Sequence, residues 1–180
     1  MKLKITTRYL VVIAINSALA FLLQVIGTLL GINVGGFLTV EISELPPLIV
    51  TFACGPLAGV LCELIKNLLH LSITTTGAIG EFANFITNGI FVFVAGMIYK
   101  YNRTRKGALI SMLIGVLVMT LASIATNLFI MFPLYMKDVP FSAMLNVALT
   151  VATPFNICRG VAVSLITFVI YKHVRPLLKG

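Results

Sequence analysis

Apolar runs separated by short polar breaks divide the chain from end to end. Unbroken stretches extend from about Tyr9 to Leu30, Phe82 to Tyr99, Ala108 to Phe132 and Val151 to Tyr171. Each approaches the ~20 residues that a helix needs to cross the hydrocarbon core of a bilayer. A fifth stretch, from Pro46 to Leu71, is also apolar but carries Pro46, Pro47, Gly55, Pro56, Glu63, Lys66 and His70. A single crossing there would put the basic 100–106 loop on the side opposite the basic N-terminus, against the positive-inside rule. Two crossings, broken at Gly55-Pro56 where proline lacks a donor and restricts its predecessor, restore the parity. The first leg, Leu45 to Cys54, is short and is expected to be tilted or shielded by protein.

The pattern therefore predicts an all-α integral membrane protein, a six-transmembrane-helix bundle with both termini cytoplasmic. The loops near 31–45, 71–80 and 133–150 would face outward. Ser17-Ala18-Leu19-Ala20 has the look of a signal-peptidase site, but the run continues through Leu30 and reads as an uncleaved span.

Composition agrees. Of 180 residues, 59% are hydrophobic and 10% charged, against about 45–50% and about 25% in soluble domains. An ordinary soluble domain and a disordered chain are both excluded. Residues 1–180 are expected to form one membrane domain with no separate soluble domain. No phosphate loop of the G-x-x-x-x-G-K type occurs, so energy from ATP would have to come through another polypeptide.

The net charge of +8 comes mostly from three clusters of Lys and Arg, at 2–8, 100–106 and 172–179, each beside an apolar run. That is the signature of cytoplasmic flanks rather than a nucleic-acid surface, and no basic face is interleaved with aromatics. Cys54, Cys62 and Cys158 lie in apolar stretches without C-x-x-C spacing and read as small buried hydrophobes.

Ionisable residues within spans carry the functional signal, because each is costly at mid-bilayer. Glu63, Lys66, Asn67 and His70 share one helical face, as do Glu81, Asn84 and Asn88 on the next helix, and Asn156 and Arg159 on the last. Counted back from Tyr171, Arg159 lies about 18 Å deep, slightly beyond the middle of the core. Lys66 sits about 15 Å up an outward-running helix that begins at Pro56. Three helices thus bring polar groups to the outer half of the membrane, which describes a small-molecule pocket open to the outside.

Plainer roles stay open for several of these residues. Glu63 and Lys66 can simply neutralise each other, His70 reads as an interfacial residue, and Asn16, Asn127 and Asn146 read as interhelical glue. Arg159 has no acid on its own helix and needs Glu44, Glu63, Glu81 or a ligand carbonyl. Ala14 and Ala18 form a small-residue stripe on the first helix, suited to internal packing or to a partner subunit.

Several segments together resemble the S components of energy-coupling factor vitamin transporters. They are Glu44-Leu45-Pro46-Pro47, the 52–59 stretch Phe-Ala-Cys-Gly-Pro-Leu-Ala-Gly, and the 63–70 stretch Glu-Leu-Ile-Lys-Asn-Leu-Leu-His. The 80–85 stretch Gly-Glu-Phe-Ala-Asn-Phe and the 154–160 stretch Pro-Phe-Asn-Ile-Cys-Arg-Gly look most like the riboflavin-specific branch. That branch typically carries Lys where this chain has Arg159, which keeps the charge and alters its geometry.

The resemblance implies a substrate-binding subunit, multi-pass in a bacterial cell membrane. It would capture riboflavin from outside and associate with a transmembrane coupling subunit and two ATPases, docking through Ala14 and Ala18. Riboflavin would be cargo, with no resident cofactor and no metal. Phe37, Leu38, Phe82 and Phe85 would supply apolar walls for the tricyclic ring. Asn84, Asn88, Asn156 and Arg159 would serve its polar edge, Glu44, Lys66 or Asn67 the ribityl hydroxyls, and Glu81 would be a further ligand-binding residue. The glycines at 31, 35 and 36 would let the 31–45 loop act as a lid.

Another vitamin or FMN is the nearest alternative. A self-contained secondary transporter is a different class, weakened by the lack of an obvious acidic relay among five acidic residues. An intramembrane enzyme is not expected, since His70 and His173 would lie on opposite sides of the membrane.

Overall fold

A computed structural model describes residues 6–31, 33–34, 38–74, 78–135 and 139–178, the side chains of 33 and 172–178 excepted. Gly35, Gly36 and Phe37, named above for the lid and the pocket wall, lie outside the described residues, as does the His173 side chain.

Six helices make up the bundle: α1 (Thr7–Leu30), α2 (Leu45–Cys54), α3 (Pro56–His70), α4 (Ile79–Tyr101), α5 (Arg105–Tyr135) and α6 (141–178). The first is capped at one end by the Thr6 hydroxyl, which accepts from the Tyr9 N–H, and closed at the other by Gly31 at φ +64°. Helices α1, α4, α5 and the 141–171 part of α6 are long and apolar enough to cross a membrane. Their outer surfaces carry large apolar side chains such as Leu29, Leu121 and Phe129, as a lipid-facing surface requires.

The all-α expectation has one small exception. The 31–44 connection holds an antiparallel pair, β1 (Asn33–Val34) and β2 (Leu38–Thr39).

The break at Gly55-Pro56 forms as expected. Gly55 adopts φ +104°, ψ 168°, a backbone region essentially reserved for glycine, and Pro56 opens α3 at its first turn. Every residue from Leu45 to Phe52 is buried, so α2 is shielded by protein on all sides. Its N-terminal flank, Glu44, meets Arg159, which lies 12 residues, or about 18 Å, before Tyr171 on α6. The 31–44 connection therefore dips well into the bundle, and α2 needs only ten residues to cover the remaining depth.

The expected outer loop at 133–150 is a correction. Helix α5 continues to Tyr135 and α6 starts at Phe141, so most of that segment is helical. Pro133 and Pro154 resemble stop signals but sit inside the helices, and in each case a π-turn ends two residues earlier, at Asn127–Met131 and Ala148–Ala152. A proline ring clashes with the carbonyl four residues back, here Phe129 and Thr150, both inside those turns. Widening the turn accommodates the ring and lets the helix continue.

Close helix approach sets the core. A Cβ on Gly96 of α4 would lie 2.9 Å from the Pro56 Cα, so α4 packs directly onto the α2–α3 corner. Beside it, Phe52, Tyr99 and Tyr171 stack with ring centroids 4.7–6.1 Å apart, and the two tyrosine hydroxyls are 2.7 Å apart.

Gly96→Leu is therefore expected to destabilise the purified protein by about 1–3 kcal/mol through overpacking, lowering its melting temperature in detergent. Tyr101→Ala, at a site 85% exposed on the same helix end, is expected to change stability by less than about 0.5 kcal/mol.

Candidate functional site

At the end of the bundle away from the tyrosine cluster lies a cavity of about 200 Å³. It is walled by α1, the end of α3, α4, α5, α6, and β2 with the strap that follows it. Leu38, Glu81, Asn84, Asn88, Asn156 and Arg159 line it, as the sequence predicted.

Its base is a continuous network of charges and amides. Arg159 Nη2 donates to Glu44 Oε1 at 2.7 Å and to Asn88 Oδ1 at 2.9 Å, and Asn88 Nδ2 donates to the same Glu44 oxygen at 2.8 Å. Glu44 is thus the acid that Arg159 lacked on its own helix. The guanidinium also lies 5.9 Å from the centroid of the Phe155 ring.

Lys66, fully buried, forms a 2.7 Å ion pair with Glu63 and donates to Ser43 Oγ and Asn84 Oδ1, both at 3.2 Å. The proposed pairing of Glu63 with Lys66 is present, and through Asn84 it joins the Arg159 cluster. Three helices, α3, α4 and α6, and the strap are tied together by side chains that would each be costly to bury alone.

Glu41 is a site residue the sequence reading missed. Its Oε1 accepts from Asn84 at 3.3 Å and lies 3.7 Å from Arg159 Nη1. Burial holds its carboxyl above the usual carboxylate range, and the neighbouring Glu44 carboxylate pushes it the same way. Nothing in the local sequence marks Glu41, because its burial comes from the strap folding inward against Gly27 of α1.

Three further wall residues were missed or assigned a lesser role. His70 is buried rather than interfacial, with Nδ1 2.9 Å from Glu81 Oε1, and its Nε2 has no hydrogen-bond partner. Gln24 is buried on α1, and its Oε1 also lacks a partner. A buried glutamine in an otherwise apolar span is itself a signal, and it was available in the sequence. Asn127, expected to be interhelical glue, lines the cavity and donates to Ser123 Oγ, which also accepts from Asn156. The π-turn in α5 carries both Asn127 and Met131 into the wall.

Other predicted residues are not in the wall. Glu44 and Lys66 lie behind it and hold Arg159, Asn84 and Asn88 in place. Asn67 bonds back to the Glu63 carbonyl at 2.8 Å, so its amide is committed to its own helix. Phe82 is 55% exposed on the outer surface of the bundle, and Phe85 packs beside Gly89 of its own helix. Both were expected as apolar walls for a tricyclic ring, but α4 turns them outside the cavity wall. Ala14 and Ala18 are exposed on α1, flanked by the exposed Leu10 and Leu22.

Comparison with known proteins agrees with this architecture. A solved structure described as the S component of a bacterial ECF transporter is similar at TM-score 0.81 and 32% identity, over 96% of this chain and 98% of the other. The riboflavin transporter RibU of Staphylococcus aureus is 32% identical over 94% of this chain and 92% of its own length. RibU of Streptococcus thermophilus is 33% identical over 96% and 85%, and the riboflavin transporter FmnP of Bacillus subtilis 29% identical over 93% and 92%. The sequence model of the substrate-specific component of ECF transporters matches residues 8–171, and this chain belongs to that family.

Proposed function

We propose that this chain crosses a bacterial cell membrane six times with both termini inside, captures riboflavin at its outer end, and delivers it to a coupling membrane subunit and two ATPases. The observation that carries the ligand assignment is the pairing of unpartnered buried acceptors, Gln24 Oε1 and His70 Nε2, with a cavity that also presents Asn84, Asn88 and Asn156. In the neutral tautomer whose Nδ1–H donates to Glu81, His70 Nε2 is an acceptor. Buried acceptors without partners invite ligand donors. Ribityl hydroxyls and the ring imide N–H supply them. Similarity to riboflavin transporters over nearly the whole chain supports the same choice.

Riboflavin is favoured over FMN by the charge inventory. Lys66 and Arg159 are both engaged by carboxylates at 2.7 Å, leaving neither as an open partner for a phosphate. The cavity, at about 200 Å³, is below the roughly 300–1,000 Å³ usual for ligand sites. Seating a tricyclic ring therefore requires the strap carrying Leu38 and Glu41 to shift outward, in keeping with a lid.

Orientation rests on the segregation of charge. All four described carboxylates belong to the cavity end, whereas Lys100, Arg103, Arg105 and Lys106 cluster at the opposite end of α4 and start of α5. The exposed Ala14 and Ala18 permit close approach of another helix in lipid and suit them to docking.

The purified protein is expected to be yellow with a flavin spectrum, and mass spectrometry of the released ligand should identify riboflavin; a different vitamin or FMN would overturn the assignment. Gln24→Leu is expected to weaken riboflavin binding about tenfold, the loss of one hydrogen bond, while leaving the melting temperature of the ligand-free protein unchanged or higher. Ala14→Leu with Ala18→Leu should retain riboflavin affinity and abolish uptake in cells. Uptake by this chain alone in proteoliposomes would refute the subunit role.

A further inference from the structure

A second cavity, about 250 Å³, lies at the other end of the bundle, around the α2–α3 break. Phe52 and Tyr99 form its floor, the first turn of α3 one wall, and Lys100 and Arg103 its rim. We propose that it binds the headgroup of an anionic phospholipid, seating the phosphodiester between Lys100, Arg103 and the start of α3.

Three independent features converge on an amphipathic anion. The first is charge. Lys100 and Arg103 are exposed, and the four described carboxylates all belong to the far end of the molecule. Among the described residues, no carboxylate is paired with this rim. The second is a helix start. Leu57, in the first turn of α3 at the cavity wall, belongs to the part of a helix whose N–H groups lack intrahelical acceptors.

The third feature is an apolar track. Leu57 lies at the cavity, and from it Leu61, Leu64 and Leu68 follow at helical spacing along α3, all of them exposed. An acyl chain anchored by its headgroup at the rim can lie along that stripe. A soluble phosphate would use the rim and leave the stripe unused. Basic pockets between helices on the cytoplasmic side are suited to anionic headgroups, and the orientation proposed above places this one in the inner leaflet.

The test uses the full chain in nanodiscs of phosphatidylcholine with phosphatidylglycerol, with retained lipid measured by native mass spectrometry. One phosphatidylglycerol should be retained in preference to phosphatidylcholine. K100Q/R103Q should weaken that retention roughly thirtyfold, the effect of two interfacial charges. R105Q/K106Q, which removes two charges outside the cavity, should leave it within about twofold. Melting temperatures of both variants establish that they remain folded. Equal loss in the two variants would show diffuse surface attraction and overturn the site. Equal retention of the two lipids would do the same, and displacement of phosphatidylglycerol by millimolar inorganic phosphate would assign the rim to a soluble anion instead.

Discussion

The contact on which the rest of the structure depends is the buried pair of Arg159 and Glu44, 2.7 Å apart and braced by Asn88. An arginine this far along a membrane-spanning helix cannot lose its charge, so a counter-ion must be brought to it. Glu44 arrives only because the connection after α1 turns into the bundle and starts α2 deep within it. That single requirement explains the short α2, the burial of its Leu45–Phe52 stretch and the cavity's position above the pair. Lys66 and Glu63 extend the same solution to α3 through Asn84.

The polar network also makes the cavity rigid at its base and leaves its roof less constrained. Below, Arg159 and Lys66 each meet an acid, and Asn84 and Asn88 are hydrogen-bonded between elements. Above, Gln24 Oε1 and His70 Nε2 have no hydrogen-bond partner, and Glu41 is held by the longer contacts to Asn84 and Arg159. A binding protein that must admit and later release its cargo needs such a division between a preorganised floor and a movable strap. The opposite end of the bundle is built differently, from packed aromatic rings, a glycine-mediated helix contact and unpaired basic side chains at its edge.

Much of the site was legible because polar residues in apolar spans are few and their spacing shows which face they share. Arg159, Asn84, Asn88, Asn156 and Glu81 were found that way and do line the cavity. Phe82 and Phe85 were misplaced because an aromatic ring suits lipid as well as a pocket, so composition cannot choose between them. Glu41 and Ser43 escaped notice because they sit in a connection, where a polar residue is unremarkable until the backbone carries it inward. Pro133 was placed just past a span and Pro154 inside one, and both lie within helices. A proline marks a local conflict with helix geometry, and whether the chain ends the helix or widens a turn depends on what packs around it.

By itself the amino-acid sequence determined the helical membrane class, the break at Gly55-Pro56, the paired charges of Glu63 and Lys66, and the family. These follow from hydropathy, backbone stereochemistry and short-range spacing, which act within a helix turn or two. Only the tertiary structure decided which acid meets Arg159, which asparagines face the cavity rather than a neighbouring helix, and which buried acceptors remain open. Those outcomes depend on the rotation of each helix about its axis and on how deeply the strap descends. Both are set by contacts between residues as much as 115 positions apart, a separation at which local pattern carries no geometric information.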